Sequence, residues 1–313
     1  MKRLLERLTE GEILVADGAM GTMLFARGLE SGQCPESINL DRPVLLEEIA
    51  GLYLNAGADI CETNTFGASP LKLAQYGLQD RMEEINNSAV RAVRRVVGDR
   101  AYVAGCCGPS GNILTPYGDT DPEDVYDSYI RQMEVLVRAG VDCVCIETMI
   151  DLMEAKLAVK AVKDVSPAMP VTATMTFDST PKGFYTIMGI SIEKAASGLQ
   201  EAGADVVGSN CGNGIENMVE IARDFRQCTD LPIIIQSNAG LPETKGGIPV
   251  YGETPAFMAD KARELLALGV SIIGGCCGTT PQHTAAIRQM VDGLAGRQRD
   301  GVNKLSHPSP QPE

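Results

Sequence analysis

Three cysteines follow two short apolar runs: Cys211 in "SNCGNG" (209–214), after ADVVG, and Cys276 with Cys277 in "GGCCGTT" (274–280), after VSIIG. Three thiolates within reach of one point suit Zn²⁺, which prefers tetrahedral sulfur and nitrogen ligands. A structural zinc site fills all four positions with protein. This chain has only two histidines, His283 just after "TTP" and His307 near the C-terminus, so the fourth position is expected to stay open, as in catalytic sites. Zinc with three thiolates carries net negative charge and activates water poorly. It still binds a substrate thiol as thiolate, lowering its pKa while leaving the sulfur nucleophilic. The chemistry this implies is alkylation of a thiol. Two other readings stay open: cysteines that only pack at strand ends, and a vicinal disulfide at 276–277.

Cys211 and Cys276 are 65 positions apart, so the fold must bring them together. Eight short runs rich in Val, Ile and small residues recur along the chain: 13–18, 58–66, 101–108, 141–148, 170–177, 204–212, 231–240 and 270–278. They show little period-2 alternation, as expected of parallel strands buried on both faces. Between them lie stretches such as RPVLLEEIAGLYLNAG and DVYDSYIRQMEVLVRAG, with apolar residues at helical spacing and a closing glycine. The phrase "AG(A/V)D" at 56–59, 139–142 and 202–205 punctuates helix-to-strand passages. Eight strand–helix repeats predict an α/β fold, a single-domain (β/α)8 TIM-type barrel over 1–296. An open doubly wound sheet is the alternative, but no G-x-G-x-x-G follows the first strand. In a barrel the loops after strands six and eight share one mouth, with strand seven between them. Residues 297–313 lose periodicity and end in alternating prolines, which reads as a disordered tail.

Composition narrows the class. With 313 residues, 44% of them hydrophobic, the chain can bury a large core. A net charge of −14 argues against nucleic-acid or anionic-membrane surfaces. No run approaches the roughly 18–20 apolar residues of a membrane span, and MKRLLERLTEGE reads as a charged amphipathic helix rather than a signal peptide. Ten cysteines, several adjacent or inside apolar runs, fit reduced thiols in a cytoplasmic protein better than a disulfide framework.

The motifs "ADGAMGT", "GADICETNTF", "CIETM", "GSNCGNG" and "GGCCGTTPQH" together resemble the homocysteine S-methyltransferase family over about residues 10 to 295. The likeness is strongest to the homocysteine-binding module of cobalamin-dependent methionine synthases. It implies a (β/α)8 barrel with zinc on Cys211, Cys276 and Cys277 and the homocysteine sulfur as fourth ligand. It also implies that Asn238, in "SNAG", can take the fourth site when substrate is absent. Asp17 and Glu147 match the motifs the family uses for the substrate ammonium, and Gly18 and Gly21 let backbone N–H groups approach its carboxylate. Asp17 could equally be a turn or cap residue, and Glu62 in "ETNTF" a structural carboxylate. Where the family has a small or apolar pair before "GP", this chain has Cys106 and Cys107. Packing explains them, or else they form a second thiol cluster.

The methyl donor is less determined. The corrinoid motif Asp-x-His-x-x-Gly fits neither His283 nor His307. An onium donor wants an aromatic cage, and the chain has no Trp and 4% aromatic residues. The expectation is therefore a homocysteine methyltransferase receiving methyl from a methylcobalamin-bearing partner protein. The alternatives are a free onium or sulfonium donor, another thiol acceptor, or a non-catalytic zinc-binding barrel subunit.

Overall fold

In the computed structural model, which describes residues 1–245 and 248–305, the eight apolar runs are eight parallel strands. They are β1 (Leu14–Val15), β2 (Ile60–Glu62), β3 (Tyr102–Cys107), β4 (Cys143–Met149), β5 (Val171–Met175), β6 (Val206–Asn210), β7 (Ile233–Ser237) and β8 (Val270–Gly275). Neighbours pair in order from β2 to β8, and β8 pairs with β1. The ring closes between β1 and β2 through the bridge Ala16–Ile60, with Asp17 N donating to Ile60 O at 3.0 Å and Asp59 N to Val15 O at 2.7 Å. The expected (β/α)8 barrel is the fold.

Among the described residues, eight helices of eleven residues or more follow the strands: α1 (Pro43–Asn55), α2 (Met82–Val97), α3 (Pro122–Ala139), α4 (Leu152–Val165), α5 (Ile192–Ala202), α6 (Ile215–Cys228), α7 (Pro255–Ala267) and α8 (Pro281–Leu305). Their starts are set locally. The side chains of Asp121, Asp151, Ser191 and Thr254 accept N-cap hydrogen bonds at α3, α4, α5 and α7. The "AG(A/V)D" phrase has a structural meaning. Its glycine takes the left-handed conformation that ends the helix (φ +89° at Gly140, +102° at Gly203). Its aspartate then clamps the preceding strand. Asp59, Asp142 and Asp205 accept from the backbone N–H of Val15, Val103 and Val171 at 2.9, 2.7 and 2.8 Å. Each also holds a cation: Arg7 and Arg288 on Asp59, Arg94 on Asp142, Lys163 on Asp205.

Inside the ring, Leu14, Ile60, Tyr102, Cys143, Val206 and Ile272 pack with Leu4 and Leu8 of a short helix, Leu4–Thr9, that plugs the N-terminal end. The same inward-facing, period-2 set continues toward the strand C-termini. There it turns polar: Glu62, Cys106, Glu147, Asn210, Gln236 and, just past β8, Cys276.

Two hairpins, Asp178–Thr180 with Gly183–Tyr185 and Glu243–Lys245 with Ile248–Val250, decorate the loops after β5 and β7. No strand was expected there. The α8 backbone stays helical through Leu305, nine residues into the segment 297–313 read as a disordered tail. Arg, Gln, Lys and Leu in that stretch are good helix formers. Residues 306–313, including His307, lie outside the described residues. Among the described residues no helix is long and apolar enough to cross a membrane.

Candidate functional site

The loops after β6 and β8 bring the three cysteines to one side of the barrel mouth, their Sγ atoms all within 4.8 Å of one another. Cys211 Sγ and Cys277 Sγ are 3.9 Å apart. A tetrahedral zinc with Zn–S bonds of about 2.3 Å places its sulfurs about 3.8 Å apart, so the donor set and its spacing fit the metal. Backbone bonds lock the arrangement. Cys211 N donates to Gln236 O (3.1 Å), Cys276 N to Ser237 O (2.7 Å), and Ala239 N to Cys277 O (3.0 Å). Cys211 itself has φ +58°, a conformation that costs a non-glycine residue about 1–2 kcal/mol and recurs at functional sites. Gly278 (φ +79°) follows Cys277, and a Cβ there would lie 2.1 Å from the Tyr251 ring, so only glycine lets Tyr251 cover this turn.

The thiols act on one another. Hydrogen bonds from Cys211, then Cys276, with a further one from Tyr251, push Cys277 down to about 3, while the Cys276 thiol is pushed up. One thiolate held by two thiols is a preorganised soft-metal donor set. His283 cannot join it. Its Nδ1 accepts from Thr280 N (3.1 Å) and its Nε2 faces Glu253 O (3.0 Å). Asn238, just past β7, is 4% exposed and its Oδ1 has no partner.

Beside the thiols lies a carboxylate group to which six of the eight barrel strands contribute. Glu147 Oε1 accepts from Cys106 Sγ (2.5 Å) and its Oε2 from Asn210 Nδ2 (3.0 Å). Asn210 Nδ2 also lies 3.9 Å from Cys276 Sγ, linking this group to the thiols. Asn210 Oδ1 accepts from Thr148 N (2.7 Å), which holds Thr148 at φ +58°. Asp17 Oδ2 accepts from Glu62 N (2.9 Å), and Glu62 Oε1 from Gln236 Nε2 (2.9 Å). Burial, then mutual repulsion with Glu62, raises Asp17 and Glu147 above the usual carboxylate range, and burial raises Glu62. Asp17 Oδ1 and Gln236 Oε1 are buried without partners. Such a site calls for a cation.

The structure thus gathers Cys211, Cys276, Cys277, Asp17, Glu147 and Asn238 at one mouth. Gly18 has a packing reason as well: a Cβ there would sit 2.6 Å from Thr279 Oγ1 and 3.0 Å from Tyr53. Asn210 and Gln236, not singled out in the sequence, join this group together with Glu62. Their signal was present, since each is a polar residue on the inward face of an otherwise apolar strand. Cys106 and Cys107 part company: Cys106 faces the barrel interior, and Cys107 packs outward against Gln132 of α3.

A family model described as homocysteine S-methyltransferase matches residues 14–291. The methionine synthases of Mycobacterium leprae (strain TN) and Mycobacterium tuberculosis (strain ATCC 25618 / H37Rv) are each 33% identical to the chain, over 94% and 92% of its length. The chain spans only 26% and 25% of those two proteins. The crystal structure of the homocysteine methyltransferase MmuM from Escherichia coli, in its metallated form, shares the fold with a TM-score of 0.76 at 24% identity. That match covers 91% of this chain and 99% of the other.

Proposed function

The chain belongs to the homocysteine S-methyltransferase family, and from that premise we propose that it methylates the thiol of homocysteine to give methionine, with zinc on Cys211, Cys276 and Cys277. The observation that carries this reading is the gathering of three thiols within 4.8 Å beside a buried, cation-seeking carboxylate group. Zinc bound there supplies thiol activation, lowering the substrate pKa so that the sulfur is ionised at neutral pH. The remaining work falls to the chain. Asp17 and Glu147 bind the ammonium, with Cys106 and Asn210 holding both oxygens of Glu147 in place. Backbone N–H groups at Gly18 and Gly21 receive the substrate carboxylate. Asn238 Oδ1, buried without a partner, would be the chain's own candidate for a further zinc ligand in the absence of substrate. The methyl group passes from its donor to the homocysteine sulfur in line, and the donor keeps the electron pair of the broken bond.

We assign the donor to a methylcobalamin-bearing protein. The name methionine synthase on the longer relatives supports methionine as the product. Exposed apolar side chains on the loops after β3, β5 and β7 support a protein donor: Ile113 (57%), Tyr117 (80%), Ile187 (73%) and Leu241 (63%). These suit contact with a protein that delivers the methyl group. All ten cysteines are free, in keeping with a reducing, cytoplasmic setting.

Zinc-edge X-ray absorption with and without L-homocysteine tests the core of this reading. Three sulfurs plus a light atom should become four sulfurs; an unchanged shell would sink it. Demethylation of methylcobalamin-loaded carrier protein by the zinc enzyme and homocysteine tests the donor. Turnover with free sulfonium compounds but with no corrinoid protein would replace it.

A further inference from the structure

The thiol cluster has a neighbour of different composition deeper in the barrel. One oxygen each of Glu62 and Glu147 and the Sγ of Cys106 lie within 4.8 Å of one another. They come from β2, β4 and β3, on the inward faces of three adjacent strands. No lysine, arginine or histidine bonds to either carboxylate or to Asp17 among the described residues. A second, independent feature points into the same space. Gln236, 2% exposed, donates through Nε2 to Glu62 and leaves its Oε1 buried without a partner. Asp17, 3% exposed and bonded to the Glu62 N–H, likewise leaves Oδ1 unpaired. One buried and one half-buried carboxylate, a thiol and two orphaned acceptor oxygens form an acceptor-rich shell with no cationic side chain bonded to it among the described residues.

We propose that Glu62, Cys106 and Glu147 form a second, inhibitory metal site for a borderline-soft divalent cation of the Zn²⁺ or Cd²⁺ class. The mixed oxygen and sulfur donors suit such ions and disfavour Mg²⁺ or Ca²⁺, which take oxygen ligands only. Binding ionises Cys106, and its proton leaves to solvent. The site shares Glu147 with the proposed ammonium subsite, so the metal and the amino acid exclude each other. The inhibition rests on the proposed function; the metal site itself does not. Cys106 supplies the soft ligand, because a small or apolar residue in its place would leave two carboxylates and no sulfur.

Metal counting by equilibrium dialysis against Zn²⁺, followed by elemental analysis, tests the site without reference to turnover. Wild type should take up a second zinc at higher free Zn²⁺. Cys106→Ala and Cys106→Ser should keep the first and weaken the second at least about 10-fold. Cys276→Ala should lose the tight site and keep the weaker one. In kinetics, excess Zn²⁺ should raise the homocysteine KM of wild type with kcat unchanged, and much less so in Cys106→Ala. One zinc per chain at all concentrations would overturn the proposal. So would a second zinc held equally well by both Cys106 variants, since that zinc would lie elsewhere on the surface. Loss of the first zinc's binding in wild type would instead count against the proposed function.

Discussion

Glu62 carries the sharpest residue-level consequence. It is half-buried beside Asp17, Glu147, Cys106 and Cys145, and its one polar side-chain partner among neutral amides is Gln236. Burial raises its folded pKa above the unfolded value. Between those two values the folded chain binds more protons than the unfolded one, so this group's contribution to stability falls as pH rises through the window. Glu62→Gln can keep the bond from Gln236 and offer its own N–H to the orphaned Gln236 Oε1. In metal-free and substrate-free protein, the variant should gain stability over wild type, and the gain should grow as pH rises from the ordinary glutamate value through the raised folded one. Urea titrations of both proteins across that range would show it; a gain independent of pH would mean that Glu62 ionises in the folded protein as it does in the unfolded one. For Glu147→Gln, which removes the charge proposed to bind the ammonium, zinc content should stay unchanged and kcat/KM for homocysteine should fall at least about 30-fold.

At the scale of elements, Asn210 ties β6 to β4. It satisfies Thr148 N, Thr148 Oγ1, Thr174 Oγ1 and Glu147 Oε2 together. Thr148 is β-branched and sits at φ +58°, a conformation that such residues rarely tolerate without support. Asn210→Ala leaves a buried N–H and a buried carboxylate oxygen unpaired. It should cost about 1–3 kcal/mol in urea unfolding, and the homocysteine KM should rise because Glu147 is no longer held. Unchanged stability would show that water replaces the amide. The first three inward polar positions, Glu62, Cys106 and Glu147, similarly depend on strand register. A one-residue slip of any of these strands would turn its side chain toward the helices.

For the molecule as a whole, closure of the ring rests on its shortest strand. β1 has two residues, and its junction with β2 depends on Asp59, which binds Val15 N, Arg7 and Arg288 at once. Asp59→Ala should cost about 1.5–3 kcal/mol, read as a lower urea midpoint, and more than truncation of an exposed pair such as Lys156–Glu201. Removing residues 1–9 should cost a similar amount or more. Leu4 and Leu8 are buried against the barrel interior, and each fully buried leucine contributes about 1.5–3 kcal/mol.

The eight barrel strands and the three thiols were legible in the residues, and Asp17 and Glu147 were singled out through the resemblance to the family. These were readable because each is local: an apolar run, a closing glycine, a cysteine between glycines. The "AG(A/V)D" phrase was visible as punctuation, yet only the tertiary structure revealed it as a clamp, since its partners Val15, Val103 and Val171 lie at least 34 positions away. The same holds for Asn210, Gln236 and the split between Cys106 and Cys107. Whether a polar residue on a buried strand meets a partner, an orphaned oxygen or another carboxylate depends on which residue the neighbouring strand sets at the same height. That is decided by inter-strand register and ring closure, which no single segment encodes.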